Sequence, residues 1–327
     1  MNPLNSPKTK MIVFGLVAAG LIAWASPPAA LLAGIIFTLI FGNPFHHHGH
    51  KIAKRLLQIC VVMLGFGMNL PVILRAGWHG SLFAALTIGT TLLLGYWIGR
   101  RLEIQRNTSI LISAGTAICG GSAIAAVSSV LAVTEAEIAM ALGTVFLLNA
   151  VALYLFPILG HVLHLSQQQF GVWAGVAIHD VSSVVGAALS YGQEALETAT
   201  AVKLSRTLWI VPITLGLALS AGRSKPASAA AGHFSTARKP KVEIPWFIGF
   251  FLLASLARSY VPVIVDWSSQ IASVAKAGLT LVLCLIGVSL SPRALRTVGW
   301  KAAAQGVLLW AFISVASLLL IIYGHAG

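Results

Sequence analysis

The stretch "GVWAGVAIHDVSSVVGAAL", residues 171–189, holds a histidine and an aspartate side by side, His179 and Asp180, inside an otherwise apolar run. As one α-helix it would be about 28 Å long, close to the hydrocarbon thickness of a bilayer. An ionised carboxylate at that depth is costly, so Asp180 must face the protein interior, meet a cation, or be protonated. Asp180 is the one acidic residue expected deep in the membrane. On an unbroken helix His179 would point about 100° away from it, with Ser183 one turn along. The pair therefore points to an interrupted helix.

The rest of the chain sets this stretch in context. Of its 327 residues 57% are hydrophobic and only 9% are charged, far from the roughly 25% of a soluble domain. Apolar runs recur along nearly the whole length, and no alternating pattern calls for a barrel. The expected fold is an all-α, polytopic membrane protein. Eleven helices are expected, near 11–25, 28–43, 55–74, 79–99, 108–133, 137–158, 169–191, 199–221, 244–260, 271–291 and 302–323. Together they make one transmembrane domain over 1–327, with a cytoplasmic linker at 222–243 rich in Ala, Ser, Pro and Lys. Cys60, Cys119 and Cys284 lie in apolar runs without ligand spacing, so neither a disulfide framework nor a zinc site is expected.

The net charge of +13 reads as a topology signal. If the N-terminus is cytoplasmic, most Lys and Arg fall on that side, among them Lys51, Arg100, Arg101, Arg106, Arg238 and Lys301. Glu135, Glu137, Glu194, Glu197 and Asp266 then fall outside, with the C-terminus. No soluble basic face exists for a nucleic-acid partner. The inside loop "NPFHHHGHKIAKR" carries His46, His47, His48 and His50, which read as solvated histidines or a metal or pH-sensing cluster.

Two repeats stand out. "LGFGMNLPVILRAGWHG" (64–80) aligns with "LIGVSLSPRALRTVGWKA" (285–302), pairing Pro71 with Pro292, Arg75 with Arg296 and Trp78 with Trp300. The two run in opposite directions in the eleven-helix reading, the inverted arrangement of many secondary transporters. "SAGTAICGGSAIAAV" (113–127) aligns with "WAGVAIHDVSSVVGA" (173–187), setting Cys119-Gly120 opposite His179-Asp180. Gly120 and Gly121 disfavour a continuous helix, and Ser122 is placed to cap the second half, whose positive end attracts anions. Close packing through small residues is the plainer account of those glycines. With eleven crossings both segments run outward, so this second match is an inverted pair only if one segment is re-entrant.

"TAVKLSRTLW" (200–209) puts Lys203 and Arg206 three residues apart on one helix face. They are natural counter-charges for Asp180, or they snorkel to the outer surface. Asn149 reads as interhelical glue. The candidate binding residues are Cys119, Gly120, Gly121, Ser122, His179, Asp180, Ser182, Ser183, Lys203 and Arg206.

With "ICGGSAI", "WAGVAIHDVSSVVGAA", "VKLSR", "EIPWFIGFFLLASL" and "LIGVSLSP" in this order, the chain resembles the YeiH-type bacterial inner-membrane proteins, a family described as sulfate exporters. The resemblance covers most of residues 10–325. It implies distant kinship with bile acid/sodium symporters and cation/proton antiporters, whose panel and core domains contain crossing, unwound helices. "CGGS" is similar to the Cys-Pro-Gly-Gly break of the symporters, with Ile118-Cys119 in place of Cys-Pro. Their sodium sites have no evident counterpart here.

The leading expectation is a secondary transporter that exports a small anion such as sulfate or an organic sulfonate, coupled to H⁺ or Na⁺ if at all, without a bound cofactor. Alternatives are a cation/proton antiporter using Asp180, a passive anion channel, and a membrane enzyme using the His-Asp pair. No nucleophile elbow, metal-binding His pair or active-site loop accompanies that pair, so no enzyme is expected. Expected partners are the anion, the bilayer of a bacterial inner membrane and, for a homodimer, a second copy of the chain.

Overall fold

The computed structural model describes residues 7–24, 27–42, 49–223, 246–289 and 299–323. Most of the 222–243 linker, His46 to His48 and the Pro292 and Arg296 positions of the first repeat lie outside them. The described residues form fourteen helices: α1 (Pro7–Trp24), α2 (Pro27–Phe41), α3 (Gly49–Gly65), α4 (Leu70–Arg101), α5 (Arg106–Ala117), α6 (Gly121–Ser128), α7 (Glu135–Val162), α8 (Gln167–Ala177), α9 (Val181–Tyr191), α10 (Gln193–Leu208), α11 (Ile210–Arg223), α12 (Trp246–Tyr260), α13 (Pro262–Ser289) and α14 (Trp300–Tyr323). By length and composition Glu135–Val162, Gln193–Leu219, Pro262–Ser289 and Trp300–Tyr323 can each cross a membrane. With the exposed Ile158, Leu219, Val274 and Leu319 on their outer faces, they make this a membrane protein.

The helices pack in two groups. In the first, α13 lies against α1, α2 and α3, and α12 against α3. Glycines permit the closest approach: a side chain on Gly34 would strike the Cys284 carbonyl, and one on Gly287 the Leu31 carbonyl. Beside them the Thr38 hydroxyl donates to Val288 O at 2.8 Å. The second group contains α4 to α10 and α14. There Gly95 and Gly99 of α4 admit Ser113 and Ser109 of α5. The buried Gln305 amide of α14 donates to Gly95 O, Ser109 Oγ and Ser113 Oγ. The groups meet where α9 packs on α2 and α13, with Gly186 between Leu153 and Leu283.

Both interrupted segments fold back, which corrects the two expected crossings at 108–133 and 169–191. In α5–α6, the Asn107 side chain donates to Ala132 O at 2.9 Å. A continuous helix would hold those residues about 37 Å apart. In α8–α9, the Tyr191 hydroxyl donates to Leu165 O at 2.6 Å, and its ring stacks on Phe170 with centroids 3.8 Å apart. Gln167 at the start of α8 accepts from Glu194 N at the start of α10. α10 then runs parallel to α8, with Thr198 beside Gly171 and Val202 beside Gly175. α7 likewise runs parallel to α5, with Val145 beside Gly115.

The hairpins enter from opposite ends. Hairpin 1 (α5–α6) opens at the basic end, where Arg100, Arg101 and Arg106 flank the α4–α5 turn and Lys301 pairs with Glu103 at 3.4 Å. Hairpin 2 (α8–α9) opens at the far end, beside Glu194 and Glu197. Two helices here, α7 and the first arm of hairpin 2, start on sequence-coded caps. Thr134 and Glu137 form a reciprocal capping box at α7, as do Ser166 and Gln169 at α8. The α7 cap puts Glu135 and Glu137 at the basic end, whereas eleven crossings would have put them at the far one.

Candidate functional site

The two hairpin tips meet in the interior. At tip 1, Ile118-Cys119-Gly120, α5 ends and α6 begins. Gly120 has φ +67° and ψ −124°, a backbone conformation essentially restricted to glycine. A Cβ placed on it would lie 3.5 Å from both Asp180 Cβ and the His179 carbonyl carbon, so tip 2 sits directly against it. The expected cap does not form: Gly120 is the N-cap of α6 without a side-chain bond, and Ser122 is exposed. Gly121 packs beside Phe146 and Leu142.

Tip 2, Ile178-His179-Asp180, is held differently. Asp180 is the N-cap of α9; its carboxylate accepts from Ser182 N at 3.1 Å and from the Ser182 hydroxyl. The His179 and Asp180 amides donate to Asn149 Oδ1 of α7 at 3.1 and 3.2 Å. Asn149 was legible only as glue, yet it holds the very residues that mark the break. Being an asparagine deep inside a long apolar run was its only signal. Ser183 is buried next to this turn.

Lys203 and Arg206 of α10 reach the other tip. Both are fully buried, which excludes snorkelling. Lys203 Nζ donates to Ile118 O at 3.3 Å, and Arg206 donates to Ala117 O. The other arm of the guanidinium donates to Thr87 Oγ1 of α4 at 2.7 Å, a partner that no sequence signal singled out. The two cations thus sit at the C-terminal end of α5, where free carbonyls and the helix dipole favour positive charge. They are not ion-paired to Asp180: among the described residues Asp180 takes part in no ion pair. Cys119 is buried at this tip as a free thiol.

Several buried polar atoms at this junction have no hydrogen-bond partner among the described residues: both ring nitrogens of His179, Asn149 Nδ2, Thr116 Oγ1 and Arg206 Nε. Buried polar groups normally find partners, so such a cluster marks a place where a ligand or water completes the bonding. The described residues hold no group of three or more metal-ligating side chains.

A family model described as "Conserved hypothetical protein 698" matches residues 11–306. Among similar curated proteins is a UPF0324 membrane protein of Porphyromonas gingivalis, 49% identical over 304 residues, covering 92% of this chain and 88% of the relative. A UPF0324 membrane protein of Bacteroides thetaiotaomicron is 46% identical over 306 residues, with the same coverage. Another from Bdellovibrio bacteriovorus is 43% identical and covers 98% of this chain and 97% of the relative. No solved structure matches the chain.

Proposed function

The chain belongs to the UPF0324 family of membrane proteins, and from that premise we propose that it is a secondary transporter of a small anion bound where the two hairpin tips meet. One observation carries the reading. Among the described residues two fully buried cations, Lys203 and Arg206, bond only to neutral acceptors and retain unused donors, at a junction where the half-helices α6 and α9 both start. Positive side chains and half-helix N-termini converging near the midplane are what an anion site in a membrane requires.

The α5–α6–α7 and α8–α9–α10 units are read as an inverted pair. The aligned Gly115 and Gly175 occupy the same place in each, on the first arm beside the long helix, and the hairpins enter from opposite ends. This removes the difficulty of two aligned segments running the same way. It also makes the group of α1, α2, α3, α12 and α13 a panel and the rest a core, with alternating access arising as the core moves past α2 and α13. Nine crossings and two re-entrant hairpins keep the parity of eleven crossings. The N-terminus is then cytoplasmic and the C-terminus periplasmic in a bacterial inner membrane, with the basic end inside. Sulfate or an organic sulfonate fits the cation pair, export is the working direction, and a coupled proton, where there is one, is assigned to the His179-Asp180 pair.

Flux into proteoliposomes tests this. Wild-type protein is expected to move labelled sulfate or a small sulfonate, and Lys203→Ala to lose at least about tenfold of that flux. Unchanged flux in both Lys203→Ala and Asp180→Asn would falsify the assignment. Flux that follows Na⁺ or K⁺ and ignores the anion would instead support cation exchange at Asp180, a reading favoured by the lack of an ion-pair partner for that carboxylate.

A further inference from the structure

A second polar site lies away from the hairpin tips, at the basic end. A pocket of about 210 Å³ opens at the α4–α5 turn, lined by Tyr96, Gly99, Arg100, Ile104, Arg106 and Ser109. Arg100 and Arg106 are exposed, and no acidic side chain lines the pocket. Among the described residues the Arg100 side chain hydrogen-bonds to the Tyr96 hydroxyl alone, at 3.4 Å. The nearby Glu103 is engaged by Lys301. Ser109, at the floor, donates to Gly95 O and accepts from Gln305, so its hydroxyl is already occupied. The two arginines are therefore the groups with bonding capacity to offer.

The surroundings place this pocket at a membrane boundary. Leu86 and Leu93 are 63% and 73% exposed on α4, and Tyr96 and Trp97 follow them at 57% and 54%. Arg101 stacks over the Trp97 ring with its carbon 5.1 Å from the centroid. Apolar side chains, then amphipathic aromatics, then arginines is the order met on passing from hydrocarbon to headgroup.

We infer that this pocket binds the phosphate of an anionic phospholipid through Arg100 and Arg106, with the acyl chains lying along the exposed Leu86 and Leu93 face of α4. Arginine suits the task because its fork presents paired donors to phosphate oxygens. Lipid is the favoured source of the phosphate because the pocket continues directly into an apolar, outward-facing helix surface, which a free ion would not use.

Purified protein in neutral detergent is titrated with phosphatidylglycerol, phosphatidylcholine or inorganic phosphate, and bound lipid is counted by intact-complex mass spectrometry alongside thermal unfolding. Phosphatidylglycerol is expected to bind and raise the Tm. Arg100→Gln/Arg106→Gln is expected to weaken that binding roughly 30-fold, while Arg101→Gln, outside the pocket, leaves more than half of it. Equal binding of phosphatidylcholine, or an equal Tm rise from inorganic phosphate at the same concentration, overturns the lipid assignment. So does undiminished phosphatidylglycerol binding by the double variant. The mass measurement reads folded complexes only, and the single Arg106→Gln variant gives the same test should the double variant unfold.

Discussion

Hairpins 1 and 2 share a sequence pattern and a shape, but they are held together by opposite means. Hairpin 2 carries its own cap, Asp180, and its returning arm α9 is buried along nearly all its length against α2, α7 and α13. Hairpin 1 has a bare glycine at its tip and a returning arm of eight residues, of which only Ala123, Ile124 and Val127 are buried. The carbonyls left free at the end of α5 are satisfied from outside, by Lys203 and Arg206. Each tip also depends on the long helix of the other unit: Asn149 of α7 holds tip 2, and the α10 cations hold tip 1. An aspartate cap stabilises locally, whereas a borrowed cation ties one hairpin to a distant helix. Hairpin 1 is therefore the looser element and the better candidate for a moving gate in the proposed transport cycle.

This contrast can be broken by substitution, with stability read from thermal unfolding in detergent. The largest effect is expected at Arg206→Ala, which removes a fully buried side chain bonded to both Thr87 and Ala117 and leaves a cavity; a loss of at least about 3 kcal/mol is expected. Arg206→Lys should recover only part of it, because lysine cannot bond two acceptors in a fork. Next comes Gly120→Ala, expected to lose about 1–3 kcal/mol because its φ of +67° disfavours any side chain. Gly121→Ala, at a helical position where the added Cβ would press on the Phe146 ring at 3.3 Å, should cost less than Gly120→Ala, because its backbone is not strained and the ring has only to yield slightly.

Asn149→Ala strands two buried amides at tip 2 and should lose about 1–2 kcal/mol. The smallest effect is expected for Asp180→Asn, below about 0.5 kcal/mol, since both residues cap a helix well. Should Asp180→Asn destabilise as much as Arg206→Ala, the self-capped and borrowed-cation hairpins would not be distinct. If its stability is kept while anion flux is lost, Asp180 acts in transport beyond its role as a cap.

Much of this was legible in the residues. The all-helical membrane class followed from composition, and both breaks were marked, one by Gly120-Gly121 and the other by His179-Asp180. Hydropathy nevertheless reads a re-entrant hairpin and a crossing helix alike, because two arms of 8 to 12 residues have the same length and polarity as one span. The error left the placement of the lysines and arginines intact, since two hairpins in place of two crossings preserve parity; the two ends of α7 were exchanged, Glu135 and Glu137 at one and His161 and His164 at the other. The partners of Lys203 and Arg206 were misread for a related reason. A buried cation was matched to the one available acid, although free backbone carbonyls, which every sequence contains and none displays, were the acceptors.

The sequence by itself thus determined where helices begin and break: the capping boxes at Thr134 and Ser166, the glycine pair and the His-Asp pair are local signals with local causes. Which way the chain turned at each break, and which tip received the buried cations, was decided by packing between residues far apart in sequence, such as Arg206 and Thr87, 119 positions apart. Small residues allow helices to approach closely, but only the assembled neighbours determine which helix fills the space.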